Sequence, residues 1–229
     1  MGYVVEFYGL PGAGKSTLAR AVVAQLRLRG VPTTDVMARL GPDAGRFARV
    51  ARKVGAIASG IGEAGSLRLV RGVGLRSDQQ HRRDQVARPA NLLVVRNAVR
   101  RAHGRPGVHV LDQGPIQEWW SAALRADHER VLELAMADPA ASADLIVRVD
   151  APIDVLVERL EARGPRQSRL EALDREARAR ELHSGEMLLA ALSDQLVHSP
   201  RAEIPDTLRV DGLDPLAPAT IVEAVIRGA

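Results

Sequence analysis

Residues 9–16 read Gly-Leu-Pro-Gly-Ala-Gly-Lys-Ser, an unbroken match to the phosphate-loop pattern G-x-x-x-x-G-K-[ST]. No other stretch narrows the fold so far, because such a loop needs a strand before it and a helix after it. A chain of this length meets the pattern by chance only about once in a hundred. Here the flanks agree. Tyr3-Val-Val-Glu-Phe-Tyr8 is a run of β-formers, and residues 16–26 put Leu18, Val22 and Leu26 on one helical face.

In this arrangement the backbone of Gly9, Leu10, Pro11, Gly12, Ala13 and Gly14 forms a curl whose N–H groups, absent only at Pro11, aim at a polyphosphate. The helix carrying Thr17 turns its positive end to the same place. Lys15 supplies a mobile cation for the β- and γ-phosphates of ATP, and the Ser16 hydroxyl can ligate Mg²⁺. All but two of the 32 basic residues are arginine, the exceptions being Lys15 and Lys53. Lysine thus stands where a flexible point charge is wanted.

Further along, the punctuation is that of an α/β chain. Short strands are expected at 31–36, 108–112, 144–150 and 208–211, with helices at 78–103, 116–137, 152–163, 171–197 and 218–227. Five strands separated by helices predict a parallel sheet covered on both faces. The 229 residues suit one domain spanning 1–229, with a helical, strand-free region at about 41–105.

With no cysteine, disulfides and thiolate-bound zinc are excluded. No run approaches the ~18 apolar residues of a membrane span, and no basic leader precedes the first strand, so a cytoplasmic protein is expected. Acidic residues are interleaved with the arginines, the net charge is only +4, and aromatics are scattered. A nucleic-acid partner is therefore not expected. Adjacent Trp119 and Trp120 cannot face one surface of a helix. One is expected in the core and the other at the acceptor pocket or a homodimer contact.

Nucleotide sites of parallel sheets lie at the carboxyl ends of the strands. Asp112 falls at such an end and is the second candidate Mg²⁺ ligand, opposite Ser16. Arg159, Arg163, Arg166 and Arg169 follow at spacings of four, three and three across Gly164-Pro165. A segment at about 163–171 therefore reads as a basic lid that can close over the phosphates.

Together these residues resemble the thymidylate kinase branch of P-loop nucleoside monophosphate kinases. In that family an R-x-x-x-R helix precedes a lid containing D-R-x-E. Arg159 and Arg163 match the first part, and Ser168-Arg169-Leu170-Glu171 matches the second with Ser in place of Asp. The resemblance implies an ATP- and Mg²⁺-dependent phosphotransferase acting on a small-molecule acceptor. Lys15, Arg163 and Arg169 would stabilise the transferring group, and the turn after 208–211 would frame the adenine.

Two positions depart from the family. Thymidylate kinases carry Asp-Arg where this chain has Asp112-Gln113, and an acidic residue where it has Tyr8. Arg82, Arg83, Arg88, Arg96 and Arg100 could replace the missing arginine at an acceptor phosphate. A second reading is a kinase for a hydroxyl of a nucleoside, metabolite or antibiotic, which needs a carboxylate base. Asp35 follows the second strand, where shikimate kinase-like and chloramphenicol phosphotransferase-like proteins place an acceptor-binding Asp. A third is an NTP-binding switch or polynucleotide-processing protein.

Overall fold

In a computed structural model of the chain, five parallel strands form one sheet in the order β2-β3-β1-β4-β5. The structure describes residues 1–37, 72–73, 82–124, 126–136, 143–163, 170, 173–197 and 206–229. The strands are β1 (Gly2–Tyr8), β2 (Thr33–Asp35), β3 (Gly107–Leu111), β4 (Leu145–Asp150) and β5 (Asp206–Asp211). The described helices are α1 (Lys15–Leu28), α2 (Arg82–His103), α3 (Pro115–Ala123), α4 (His128–Met136), α5 (Ile153–Ala162), α6 (Arg175–Val197) and α7 (Ala217–Gly228).

β1 is central because nearly every residue in it is buried on one face or the other, as a strand covered on both sides requires. Its alternation sorts the helices. Tyr3 lies against Gly228 of α7, whereas Glu6 bonds the start of α3 and Tyr8 bonds Ser193 of α6 at 2.8 Å. α1 packs on α7, and α2 and α6 both pack on α3. Val22 and Leu26 of α1 are completely buried, as are Ile221, Val222 and Val225 of α7. Each such aliphatic side chain contributes about 1.5–3 kcal/mol by leaving water.

Register brings the functional strand ends together. Glu6 of β1 pairs with Leu111 of β3, and Asp35 of β2 pairs with Val110. The phosphate loop, Asp112 and Asp35 therefore all emerge at the carboxyl edge of the sheet.

Two helices differ from the sequence reading. Residues 116–137 are not one helix: α3 closes where the Leu124 N–H bonds Trp120 O, and α4 starts afresh on Asp127, whose Oδ1 accepts the Arg130 N–H. The helix expected from 171 begins at Arg175, because Asp174 caps it by accepting the Ala177 N–H at 2.8 Å. α2 runs through Pro89, which removes one backbone hydrogen bond of that helix. Most of the acceptor region at 41–105 before α2, and lid residues 164–169 and 171–172 including Arg166 and Arg169, lie outside the described residues.

Candidate active site

Gly9, Gly12 and Gly14 have φ of 151°, 91° and 100°, a left-handed series that side chains with a Cβ rarely adopt. The curl closes with Ala13 N–H on Leu10 O at 3.2 Å and Thr17 N–H on Gly14 O at 3.0 Å. α1 begins directly after Gly14, and no side chain caps it. Its first amides thus face the loop's hollow, as an anion site requires.

Lys15 is buried, and its Nζ donates to Gly9 O at 2.8 Å and Leu10 O at 2.9 Å. Burial pulls its pKa down to about 8, Asp112 opposes that shift, and Arg163 adds to it. The field therefore couples Lys15, Asp112 and Arg163 at one place. Asp112 follows the last residue of β3 and is half-buried. Arg159 Nη1 reaches Gly12 O at 3.0 Å from α5, and Arg163 ends that helix. From the far side, the turn after β5 closes on the loop; a Cβ on Gly212 would meet Ala13 O at 2.2 Å.

A cavity of about 600 Å³ runs outward from Lys15, Ser16 and Thr17. Arg20, Arg88 and Arg163 line it, as do Gln117, Glu118, Trp120 and Glu181. Of the α2 arginines considered above, Arg88 borders this space; Arg96 is buried in the helix packing and Arg100 bonds Asn97. Arg82 and Arg83 lie on α2, but their side chains fall outside the described residues. Both tryptophans are buried, and Trp119 does not border the cavity. Trp120 borders it, and its Nε1 donates to Gly185 O at 2.8 Å.

Asp35 is placed differently. It lines a separate groove of about 330 Å³ with Arg20, Arg27, Thr33 and Thr34. Arg20 borders both spaces. Asp150 and Asp211, also at strand ends, are engaged structurally. Arg148 and Arg209 pair with Asp150, and Asp211 accepts the Leu213 N–H in a turn.

Sequence reasoning missed Glu6, Gln117, Glu118 and Glu181. Glu6 carried a signal, a lone carboxylate inside an apolar strand. The other three sit on helices whose phase decides what they face.

A family model for an AAA domain matches residues 4–186. The chain belongs to the AAA domain family. No curated protein sequence matches it. As a fold, this AAA domain is similar to three solved structures of deoxyadenosine kinase from M. mycoides. One, with bound dATP, has a TM-score of 0.53 at 10% identity, covering 98% of this chain and 99% of that one. A second, with products dCMP and a flexible dCDP bound, has a TM-score of 0.52 at 12% identity, covering 98% and 97%. The third, with bound dCTP, has a TM-score of 0.51 at 11% identity, covering 99% and 100%. At such identity the likeness concerns the fold, a P-loop kinase-like α/β sheet, and not the pocket. It does not single out the thymidylate kinase branch.

Among the described residues, no helix is long and apolar enough to cross a membrane.

Proposed function

We propose that this AAA domain is an ATP- and Mg²⁺-dependent phosphotransferase whose acceptor is a hydroxyl of a nucleoside-sized molecule. The observation carrying this reading is the single cavity that joins the phosphate loop to Trp120, with carboxylates Glu118 and Glu181 and neutral Gln113 and Gln117 on its walls. Gln113 occupies the position where an acceptor already bearing a phosphate would meet an arginine. The fold neighbours, named as deoxyadenosine kinases, support a nucleoside as acceptor over a monophosphate.

The left-handed glycines, the uncapped start of α1 and buried Lys15 fit a triphosphate. The Ser16 hydroxyl and Asp112 carboxylate would hold Mg²⁺, which supplies neutralisation of charge on the β- and γ-oxygens. Lys15 and Arg163 hold the transferring group in line, and Arg159 keeps the loop in place through Gly12. The base in this reading is a carboxylate of the cavity wall, Glu118 or Glu181: it takes the acceptor's hydroxyl proton as the oxygen bonds the γ-phosphorus and the bond to the β-γ bridging oxygen breaks. Asp35, the base expected from the sequence, stands at the carboxyl edge of β2 and opens with Arg20 into the separate groove.

A nucleoside monophosphate remains the second reading because Arg20, Arg88 and Arg163 all line the cavity. The deciding experiment is ADP release with MgATP across nucleosides, deoxynucleosides, their monophosphates and small alcohols, with products identified by mass. A new monophosphate supports the hydroxyl reading, and Glu118→Gln or Glu181→Gln should then lower turnover about a hundredfold at unchanged ATP affinity, whereas Asp35→Asn should not. A diphosphate product would replace it with the second.

A further inference from the structure

Glu6 is a buried acid that phosphoryl transfer does not use. It lies in the middle of β1, wholly inside the protein. Its Oε1 accepts the backbone N–H of Ile116 at 2.7 Å and of Gln117 at 3.3 Å. Those are the first amides of α3, whose N-cap, Gly114, has no side chain to satisfy them. A Cβ on Gly114 would stand 2.2 Å from Glu6 Cδ. Glu6 therefore caps a helix that begins more than a hundred residues later, and Gly114 is the residue that lets it approach. The arrangement is costly, since Oε2 is buried with no hydrogen-bond partner among the described residues.

From the same turn of α3, the Gln117 side chain reaches the phosphate loop. Its Oε1 accepts the Gly9 N–H at 3.1 Å, and Gly9 O accepts from Lys15 Nζ at 2.8 Å. Both polar groups of Gly9 are thus engaged, one by α3 and one by the lysine. A chain of hydrogen bonds runs from Glu6 through α3 and Gln117 to Gly9 and ends on Lys15.

We propose that Glu6 and Gln117 are positioning residues for Lys15: Glu6 fixes the start of α3, Gln117 holds Gly9, and Gly9 holds the ammonium. The amide also borders the cavity beyond the loop, so one side chain touches both the phosphate end and the acceptor end. The purpose of this brace rests on the phosphotransferase reading. Its existence can be tested without any acceptor.

The test uses the full chain labelled with ¹⁵N-lysine. Lys15 and Lys53 are its only lysines, so two Nζ resonances are expected, and the one missing in Lys15→Ala is that of the loop. Gln117→Leu should shift the Lys15 resonance and weaken MgATP binding about tenfold by calorimetry. Gln117→Glu and Glu6→Gln each keep an acceptor oxygen and should hold the Lys15 resonance at its wild-type position. Gln117→Asn, a methylene too short to reach Gly9, reads the same contact should the leucine variant not fold. A Lys15 resonance and ATP affinity unchanged in Gln117→Leu or Gln117→Asn, at an unchanged unfolding midpoint, overturn the brace, as would equal loss in Gln117→Glu. If the resonance moves as expected but no acceptor is phosphorylated, the brace stands and the phosphotransferase reading fails instead.

Discussion

Arg159 Nη1 donates to the carbonyl of Gly12 at 3.0 Å, so the last turn of α5 is tied to the phosphate loop. The guanidinium also passes the start of α1, where a Cβ on Gly14 would lie 3.7 Å from the same Nη1. Arg159→Ala should weaken MgATP binding about tenfold, the size of one charge-assisted hydrogen bond. Arg159→Lys should recover little of it, because a point charge does not reproduce the fork. Calorimetric titration of the three proteins checks this, and equal affinities would remove Arg159 from the nucleotide site.

Lys15 sits among neutral carbonyls inside the loop, with Asp112 as the nearby opposing charge. Lys15→Ala should lower phosphoryl transfer by at least about a hundredfold while the unfolding midpoint stays close to wild type. Lys15→Arg should be nearly as inactive, since a planar fork does not reproduce the point charge that donates to Gly9 O and Leu10 O. Transfer at the wild-type rate in either variant would contradict the assignment.

Asp112 is half-buried at the end of β3. If it holds Mg²⁺ with Ser16, Asp112→Asn should raise the magnesium concentration needed for half-maximal rate about tenfold or more, with nucleotide binding in the absence of metal little changed. The comparison is a rate-against-magnesium curve for both proteins. Superimposable curves mean that Asp112 serves the start of α3 and no metal.

Glu6 gives a pH signature in stability. Burial raises its pKa to about 8; the Ile116 and Gln117 amides oppose that shift, and Glu118 reinforces it. An acid whose folded pKa lies above its unfolded value stabilises the fold fully below about 4.5, and that contribution is lost as pH rises to about 8. Over this window the loss amounts to a few kcal/mol at most. Glu6→Gln cannot ionise and keeps the Oε1 acceptor. Its unfolding free energy, measured in urea at pH 5, 6, 7 and 8, should gain on that of the wild type as pH rises. Parallel profiles would mean that folding does not raise the pKa of Glu6.

Much of the site was legible in local sequence because phosphate binding is a local geometry. Eight consecutive residues fix the curl, the strand before it alternates two faces, and the helix after it repeats an apolar stripe. The strand ends at Asp35 and Asp112, and the R-x-x-x-R pair on α5, were readable for the same reason. Capping by Asp127 and Asp174 could have been read too. Each is an Asp just before a helix, but continuous helical periodicity on both sides concealed it.

What the chain's own order of residues determined is the loop, the five strands and the chemistry offered at each strand end. Only tertiary structure decided which groups share a space. Arg88 faces the cavity and Arg96 does not, because α2 packs on α3 in one rotational phase. Asp35 opens into a groove beside Arg20 and not into the main cavity. Glu6, Gln117, Gly9 and Lys15 form one chain of hydrogen bonds although more than a hundred residues separate Gln117 from the other three. Strand register and helix phase set those meetings. Both follow from how the whole core packs, which no local run of residues encodes.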